Sequence, residues 1–441
     1  MLDIKYIRDN AEKVQKAADD KFLNFNVQEL LDVDKKRVEL MQEIEDLKAQ
    51  KNEVNNKIKN AQSDEVRQEI IASGKKIKEK TEKLEPKLKD VQQKFMELMV
   101  RVPTVAADDV PVGKDDSDNV TVYEKGDKPE FDFVPKDHIA IGTDLDIIDF
   151  DRGVKVAGYR GYYLKGDGAA LTMALMMYAL HKMIAKGFAP MIPPTLVKEF
   201  ALFGSGYFKG AEYDQTEDEI YQVATKTKEA DGKDSKEKKF LVGTAEPSLL
   251  AYYADEVLDE SQLPMRLCGY SQCYRSEIGS YGKDTKGMYR VHEFMKIEQV
   301  VIAKADTDES EKLQEEMITI SEEIHAELGL PYRKLAICTG DMGTGKYRMF
   351  DLEAWMPGLD RWGETGSASN FLDWQSRRLN VKYKDKNGKK KHVYMLNNTV
   401  LPSPRPFIAI LENFQQADGS VIIPEVLRPY MPGGKSIIEK K

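Results

Sequence analysis

The chain has 441 residues, is 41% hydrophobic and 32% charged, and carries a formal net charge of −9. That length suits two or three domains with a large core. No apolar run approaches the ~18 to 20 residues that span a bilayer, so no membrane partner is expected. An acidic chain does not bind nucleic acid over its whole surface, and any RNA must be held by local basic patches. The opening MLDIKYIRDN has no apolar h-region, so a cytoplasmic location is expected.

Residues 28–102 contain no Trp or Tyr, a single proline (Pro86), and a dense mix of Lys and Glu. Leu40, Ile44, Leu47, Lys51, Val54 and Ile58 step by alternating fours and threes, the spacing of a coiled-coil seam. A second seam runs Ile70, Gly74, Ile77, Thr81, Leu84, Leu88, Val91, Phe95, Leu98, Val102, with Gly74 and Thr81 as weak points. Two seams about the polar turn Asn60 to Asp64 predict an antiparallel α-helical coiled-coil hairpin. Each arm spans roughly 45 Å or more, and Pro86 should kink the second. Lys75, Lys76, Lys78, Lys80 and Lys83 suit phosphate contact. Glu79, Glu82 and Glu85 interleave with them, so a solvated helix face explains the pattern equally well.

The polar stretch PTVAADDVPVGKDDSDNV reads as a linker. The expected division is 1–103, helical arm; 104–120, linker; 121–441, a mixed α+β domain. In that domain ALTMALMMYALHKMIAK predicts an apolar helix closed by Gly187, followed by a proline-broken strand, FAPMIPPTLV. KTKEADGKDSKEKK reads as a polar hairpin tip. In LVGTAEPSLL, a strand end over Val242 to Glu246 would set Thr244 and Glu246 on one face.

Cys273 to Val301 carries the most chemistry. It reads as strand, Gly-rich turn (Gly279, Ser280, Gly282, Gly287) and strand. Strand alternation puts Arg275 and Glu277 on one face of the first strand, and Arg290, Phe294 and Glu298 on one face of the second. Phe294 and Glu298 then lie roughly 13 Å apart, a length that fits a nucleotide joined to a small amino acid. An aromatic ring stacks on a base, a guanidinium holds a phosphate bidentately, and a carboxylate holds an ammonium or hydroxyl. A decorated amphipathic hairpin would explain any one of these residues; five together point to a site. The three cysteines, Cys268, Cys273 and Cys338, are too sparse for a disulfide framework. Neither they nor the histidines show metal-ligand spacing, so no zinc is expected. Walker A, GxGxxG, HIGH and KMSKS-like patterns are all absent, so ATP use could not rest on a P-loop.

This segment closely resembles the second signature motif of class II aminoacyl-tRNA synthetases, in the form found in seryl-tRNA synthetases. The similarity extends from MLDIKYIRDN to IIPEVLRPYM. It implies a helical tRNA-binding arm joined to a catalytic domain built on an antiparallel β-sheet flanked by helices. The implied activity is ATP-dependent ligation of L-serine to tRNA(Ser) by a cytoplasmic homodimer, with tRNA(Sec) a candidate second acceptor. Pro193 or Pro194 would lie near the dimer interface, in the first motif. The resemblance gives Arg275 and Arg405 catalytic roles. It assigns serine to Thr244, Ala245, Glu246, Arg275, Glu298, Asn397 and Thr399. ATP falls to Arg275, Ser276, Glu277, Arg290, Val291, Phe294, Glu364, Thr365, Gly366, Ser367 and Arg405. Mg2+ is assigned to Glu364 and Ser367, and tRNA contact to Lys75, Lys76, Lys78 and Lys80. Asn370, Asp373, Gln375, Arg377 and Arg378 would buttress the sheet. The third motif should lie in HVYMLNNTVLPSPRPFIAILENFQ, with a strand ending at Asn397, a helix starting at Pro406 and Arg405 just before it. NTVLPSPRP departs here from the common GSGLAVGRT, with Asn398, Val400 and Pro404 in place of glycines. Two rival readings are an amino-acid-activating paralogue that loads a carrier protein, which lacks the arm, and a non-catalytic RNA-binding dimer, which would lack the arginines and carboxylates.

Overall fold

The computed structural model describes every residue except 62, 209, 225–227, 230, 236, 279–285 and 441. The chain forms two compact units, one of Leu2–Asp19 and Leu23–Pro103, the other of Met1, Asp20–Phe22 and Thr104–Lys441.

In the smaller unit, α1 (Ile4–Asp9) and α2 (Ala11–Asp20) precede two long helices, α3 (Val27–Lys59) and α4 (Asp64–Met99). Each long helix has a side-chain cap. Asn26 accepts from the Gln28 and Glu29 amides, and Ser63 accepts from the Val66 amide. At 33 and 36 residues the arms span about 50 Å each. Ile44, Leu47 and Leu84 are buried between them, flanked by Leu40, Ile77 and Leu88. Gly74 has a packing reason: a Cβ there would come 3.1 Å from Val54 Cγ1, so the glycine lets the helices approach. The Thr81 hydroxyl donates to Ile77 O at 2.9 Å and so brings no unsatisfied donor to the seam. The helix continues across Pro86.

The larger unit is built on a sheet that, among the described residues, has eight strands. They are β1 (Val120–Lys125), β2 (Ala189–Met191), β3 (Met265–Tyr274), β4 (Glu293–Ala303), β5 (Tyr332–Ala336), β6 (Arg348–Met356), β7 (Arg361–Asn370) and β8 (Tyr394–Pro402). Their order is β1-β5-β6-β7-β8-β4-β3-β2, antiparallel except for the parallel β2–β3 edge. The connecting helices used below are α5 (Gly166–Ala185), α6 (Glu199–Ser205), α7 (Glu246–Ala251), α8 (Thr307–Glu327), α9 (Trp374–Leu379) and α10 (Pro404–Asn413). Ile297 and Val301 of β4 join Leu175 and Met176 of α5, Met317 and Ile324 of α8, and Phe407 of α10 in one core. Strand alternation turns Lys296 and Glu298 to the opposite face. Residues 104–120 pack within this unit, where Ala107 and Val110 share a small core with Leu335, Ile337 and Met342.

Several sequence expectations need correction. The stretch Asp167–Ala185 of α5 is long and apolar enough to cross a membrane by length and composition, although half of it is buried inside the protein. Val242–Glu246 is not a strand end, because the strand stops at Leu241 and Glu246 opens α7. β8 runs on to Pro402 rather than stopping at Asn397, and α10 begins at Pro404, placing Arg405 inside its first turn. Proline fits there because the first-turn amides have no intrahelical acceptor.

Candidate active site

β3 ends at Tyr274 and β4 starts at Glu293, so Arg275, Glu277 and Arg290 lie on the connection and not on strands. The alternation argument therefore fails for them, yet the connection still delivers all three. Gly279, Ser280 and Gly282 fall outside the described residues. An open cleft is lined by Arg275, Glu277, Arg290, Val291, Phe294, Glu364, Thr365, Thr399 and Arg405, all expected from the sequence. Tyr289, Lys296, Pro402 and Pro404 complete the lining.

At one end the Arg275 guanidinium lies over the Phe294 ring, 5.5 Å from its centroid, and Arg275 Nε donates to Gly243 O at 3.4 Å. Glu277 takes a positive φ of 55° and accepts from Arg290 Nη1 at 2.8 Å, with Arg160 at 3.9 Å. Ser276 Oγ is buried without a partner among the described residues. At the other end Arg405 Nη1 donates to Glu364 Oε2 at 3.0 Å and to Glu364 O at 2.9 Å, and its guanidinium lies 4.5 Å from the Tyr289 ring centroid. Partial burial works to raise Glu364, whose side chain stays 46% exposed, but the charge and hydrogen bond of Arg405 win and hold its carboxyl below the usual range. Burial and then the Glu364 charge push the neighbouring Asp351 well above its ordinary value, against a hydrogen bond from Ser367. Thr365 presents only its backbone to the cleft, since its hydroxyl lies 2.7 Å from His325 Nε2 of α8 on the far face. Gly366 is close to β8: a Cβ there would meet Thr399 O at 3.1 Å.

Deeper in, Glu298 is 2% exposed and accepts from Thr399 Oγ1 at 3.3 Å. Glu246 is 4% exposed and held from both sides, by Tyr207 Oη at 3.0 Å and Gln375 Nε2 at 2.6 Å. Burial, then the charge of Glu298, raises Glu246 to about 6. Thr244 is fully buried and accepts weakly from the Glu246 amide at 3.4 Å. Ala245 is a core residue, packed with Leu249 and Val300. Asn397 lies two residues before Thr399 on β8, 7% exposed. The departures Asn398 and Val400 do not crowd the cleft. Asn398 Nδ2 donates to Gln299 Oε1, Met317 O and Ser321 Oγ behind the sheet, and Val400 joins the main core.

Sequence reasoning underrated three residues. Gln375 does not merely buttress the sheet but grips Glu246. Tyr207 sits 39 residues from its carboxylate partner, so no local pattern announces it. Lys296 had a signal, because it falls midway between Phe294 and Glu298 on one strand face. In the arm, Lys75, Lys76, Lys78 and Lys80 are all exposed; Lys80 pairs with Glu43 across the hairpin at 2.8 Å and Lys78 with Glu82 at 3.7 Å.

An antiparallel sheet with one arginine before a loop, an aromatic after it, and a second arginine at a helix start is the arrangement of a class II synthetase core. Residues 221–414 match the family profile "tRNA synthetase class II core domain (G, H, P, S and T)", and residues 1–106 match "Seryl-tRNA synthetase N-terminal domain". The chain is 42% identical to the serine–tRNA ligase of Treponema denticola over 432 residues, 98% of each chain. It is 40% identical to that of Deinococcus radiodurans over 438 residues, 99% of each. Among solved structures it resembles the seryl-tRNA synthetase of Pyrococcus horikoshii complexed with ATP, at TM-score 0.88 and 35% identity over 100% of both chains. It also resembles the cytoplasmic serine–tRNA ligase of Naegleria fowleri in complex with AMP, at TM-score 0.83 and 30% identity over 98% and 96%. The chain belongs to the seryl-tRNA synthetase family.

Proposed function

We propose that this chain activates L-serine with ATP and transfers the seryl group to the 3′ end of tRNA(Ser). The observation that carries the reading is one cleft lined by a stacking ring (Phe294) and two arginines (Arg275, Arg405), with the buried carboxylate of Glu298 behind its lining residues Lys296 and Thr399 and the buried Glu246 carboxylate near enough to Glu298 to feel its charge. It is supported by whole-chain likeness to serine–tRNA ligases and to a relative solved with ATP.

In this reading adenine stacks on Phe294, with Glu277 and the Val291 backbone at its edge and Arg290 alongside. Arg275 neutralises the α-phosphate and the serine carboxylate, and Arg405 leaves Glu364 for the γ-phosphate. Glu246 receives the serine ammonium; Glu298 and Thr399 receive the hydroxyl, beside Asn397. The carboxylate attacks the α-phosphorus and pyrophosphate leaves. The terminal ribose hydroxyl of tRNA then attacks the seryl carbonyl and AMP leaves. No side chain acts as nucleophile, so catalysis is positioning and charge stabilisation. Glu364 and Ser367 fit Mg2+: their donors are oxygens, and Asp351 beside them, pushed well above its ordinary value by burial and the Glu364 charge, keeps a buried Oδ1 without a partner among the described residues. Bound there, the ion would neutralise phosphate charge.

The assembly proposed is a cytoplasmic homodimer. Met173, Met177 and Ile184 on α5, and Ile192 at 87% exposure next to Pro193 and Pro194, offer the apolar surface. The α3–α4 hairpin is proposed to grip tRNA, with Lys75, Lys76, Lys78 and Lys80 on phosphate. The test is charging of tRNA(Ser) with labelled serine. Replacing residues 31–99 by a short Gly/Ser linker should abolish charging at low tRNA while sparing serine-dependent ATP–pyrophosphate exchange. Undiminished charging would make the arm a spacer.

A further inference from the structure

Phe294, Lys296 and Glu298 alternate along β4, and Phe294 and Lys296 both line the cleft. The Lys296 side chain is 4% exposed and that of Glu298 3%. Lys296 Nζ lies 2.5 Å from Glu298 Oε2 and donates to Thr399 Oγ1 at 3.0 Å. Thr399 Oγ1 in turn donates to Glu298 Oε2 at 3.3 Å. Lysine, carboxylate and hydroxyl thus close a ring at the cleft floor.

An ammonium has three N–H donors. The ring uses two, and the third has no protein partner among the described residues. A hydroxyl arriving beside the ring meets a carboxylate that accepts and an ammonium that donates. A methyl group meets neither and leaves buried polar groups unpaired. Charge points the same way. Glu246 and Glu298 are two buried carboxylates close enough to repel, and Lys296 is the cation that relieves them. With the substrate ammonium on Glu246, the pocket holds equal positive and negative charge.

We propose that Lys296 is a specificity-determining residue, which fixes Glu298 and Thr399 and donates its third hydrogen bond to the oxygen of the substrate hydroxyl. This rests on the reading of the cleft as a serine site. A purely structural ring would tie β4 to β8 through Thr399 and act on every amino acid alike.

The experiment is ATP–pyrophosphate exchange with serine and with alanine, for the wild type and Lys296→Met. The serine-to-alanine ratio of kcat/KM should fall about tenfold to a hundredfold, the share of one charge-assisted hydrogen bond, while the KM for ATP holds. Parallel losses with both amino acids, ratio unchanged, overturn the proposal. A lone methionine strands the Glu298 charge and could unfold the site. The second comparison is therefore Glu298→Gln against Glu298→Gln with Lys296→Met, which strands no carboxylate there. The double variant should discriminate about tenfold worse, and equal ratios overturn the proposal. A wild type without serine-dependent exchange overturns the serine reading and this proposal together. A wild type that prefers serine, beside variants of unchanged ratio, overturns only the role of Lys296.

Discussion

Truncating Arg405 to alanine separates chemistry from stability. Arg405 holds Glu364 by a hydrogen bond of 3.0 Å and lies 4.5 Å from the Tyr289 ring centroid. Its partner's side chain is 46% exposed, so water screens the carboxylate left behind, and the pair contributes well under about 1 kcal/mol. Losing the ring contact costs about another 1 kcal/mol. At roughly 1 °C per kcal/mol for a chain this long, the melting temperature should drop by only about 1–2 °C. Removing a preorganised donor from developing phosphate charge costs far more, about 10²–10³ in rate. ATP–pyrophosphate exchange with saturating serine should therefore collapse while the melting curve barely moves. Arg405→Lys keeps a point charge without the planar fork and should fall between. Exchange reduced less than about tenfold, in a protein that melts normally, would refute the phosphate role.

Glu246 should make serine binding pH-dependent. It is raised to about 6 by burial and the nearby Glu298, and only its carboxylate receives an ammonium. The KM for serine should rise about tenfold from pH 8 to pH 5, with proton release on binding near pH 6 in calorimetry, whereas a flat profile would remove Glu246 from the ammonium site. His325, fully buried, is lowered to about 4 by burial against its ordinary 6.5. Because its folded value lies below the unfolded one, the unfolded chain binds more protons between those values. Stability is then complete above pH 6.5 and is lost toward pH 4 by roughly 3 kcal/mol; denaturant melts should show this slope weakened in His325→Gln. Charge reversal at Lys75, Lys76 and Lys78 should weaken tRNA binding and lower its salt slope by up to about three, sparing serine-dependent exchange. An unchanged slope in fluorescence titrations would return those lysines to a solvated face.

The arm was legible because a heptad seam is a local pattern, and even its weak points have physical sense: Gly74 permits the close approach to Val54. Phe294 and Glu298 were legible because strand alternation puts them on one face. Strand alternation does not account for Arg275 and Glu277, which lie past the strand end, where Glu277 takes a left-handed turn. Glu246 reads as strand in the sequence because the proline after it hides a helix start. Tyr207 and Gln375 converge on Glu246 from α6's end and α9, and no single segment records a contact made only by folding.

The most direct test of the account is ATP–pyrophosphate exchange, without tRNA, across all standard amino acids. Serine alone should drive exchange efficiently, and Arg275→Ala should abolish it in a protein that still folds. Exchange driven better by threonine or alanine, or by no amino acid at all, would contradict the reading of the cleft.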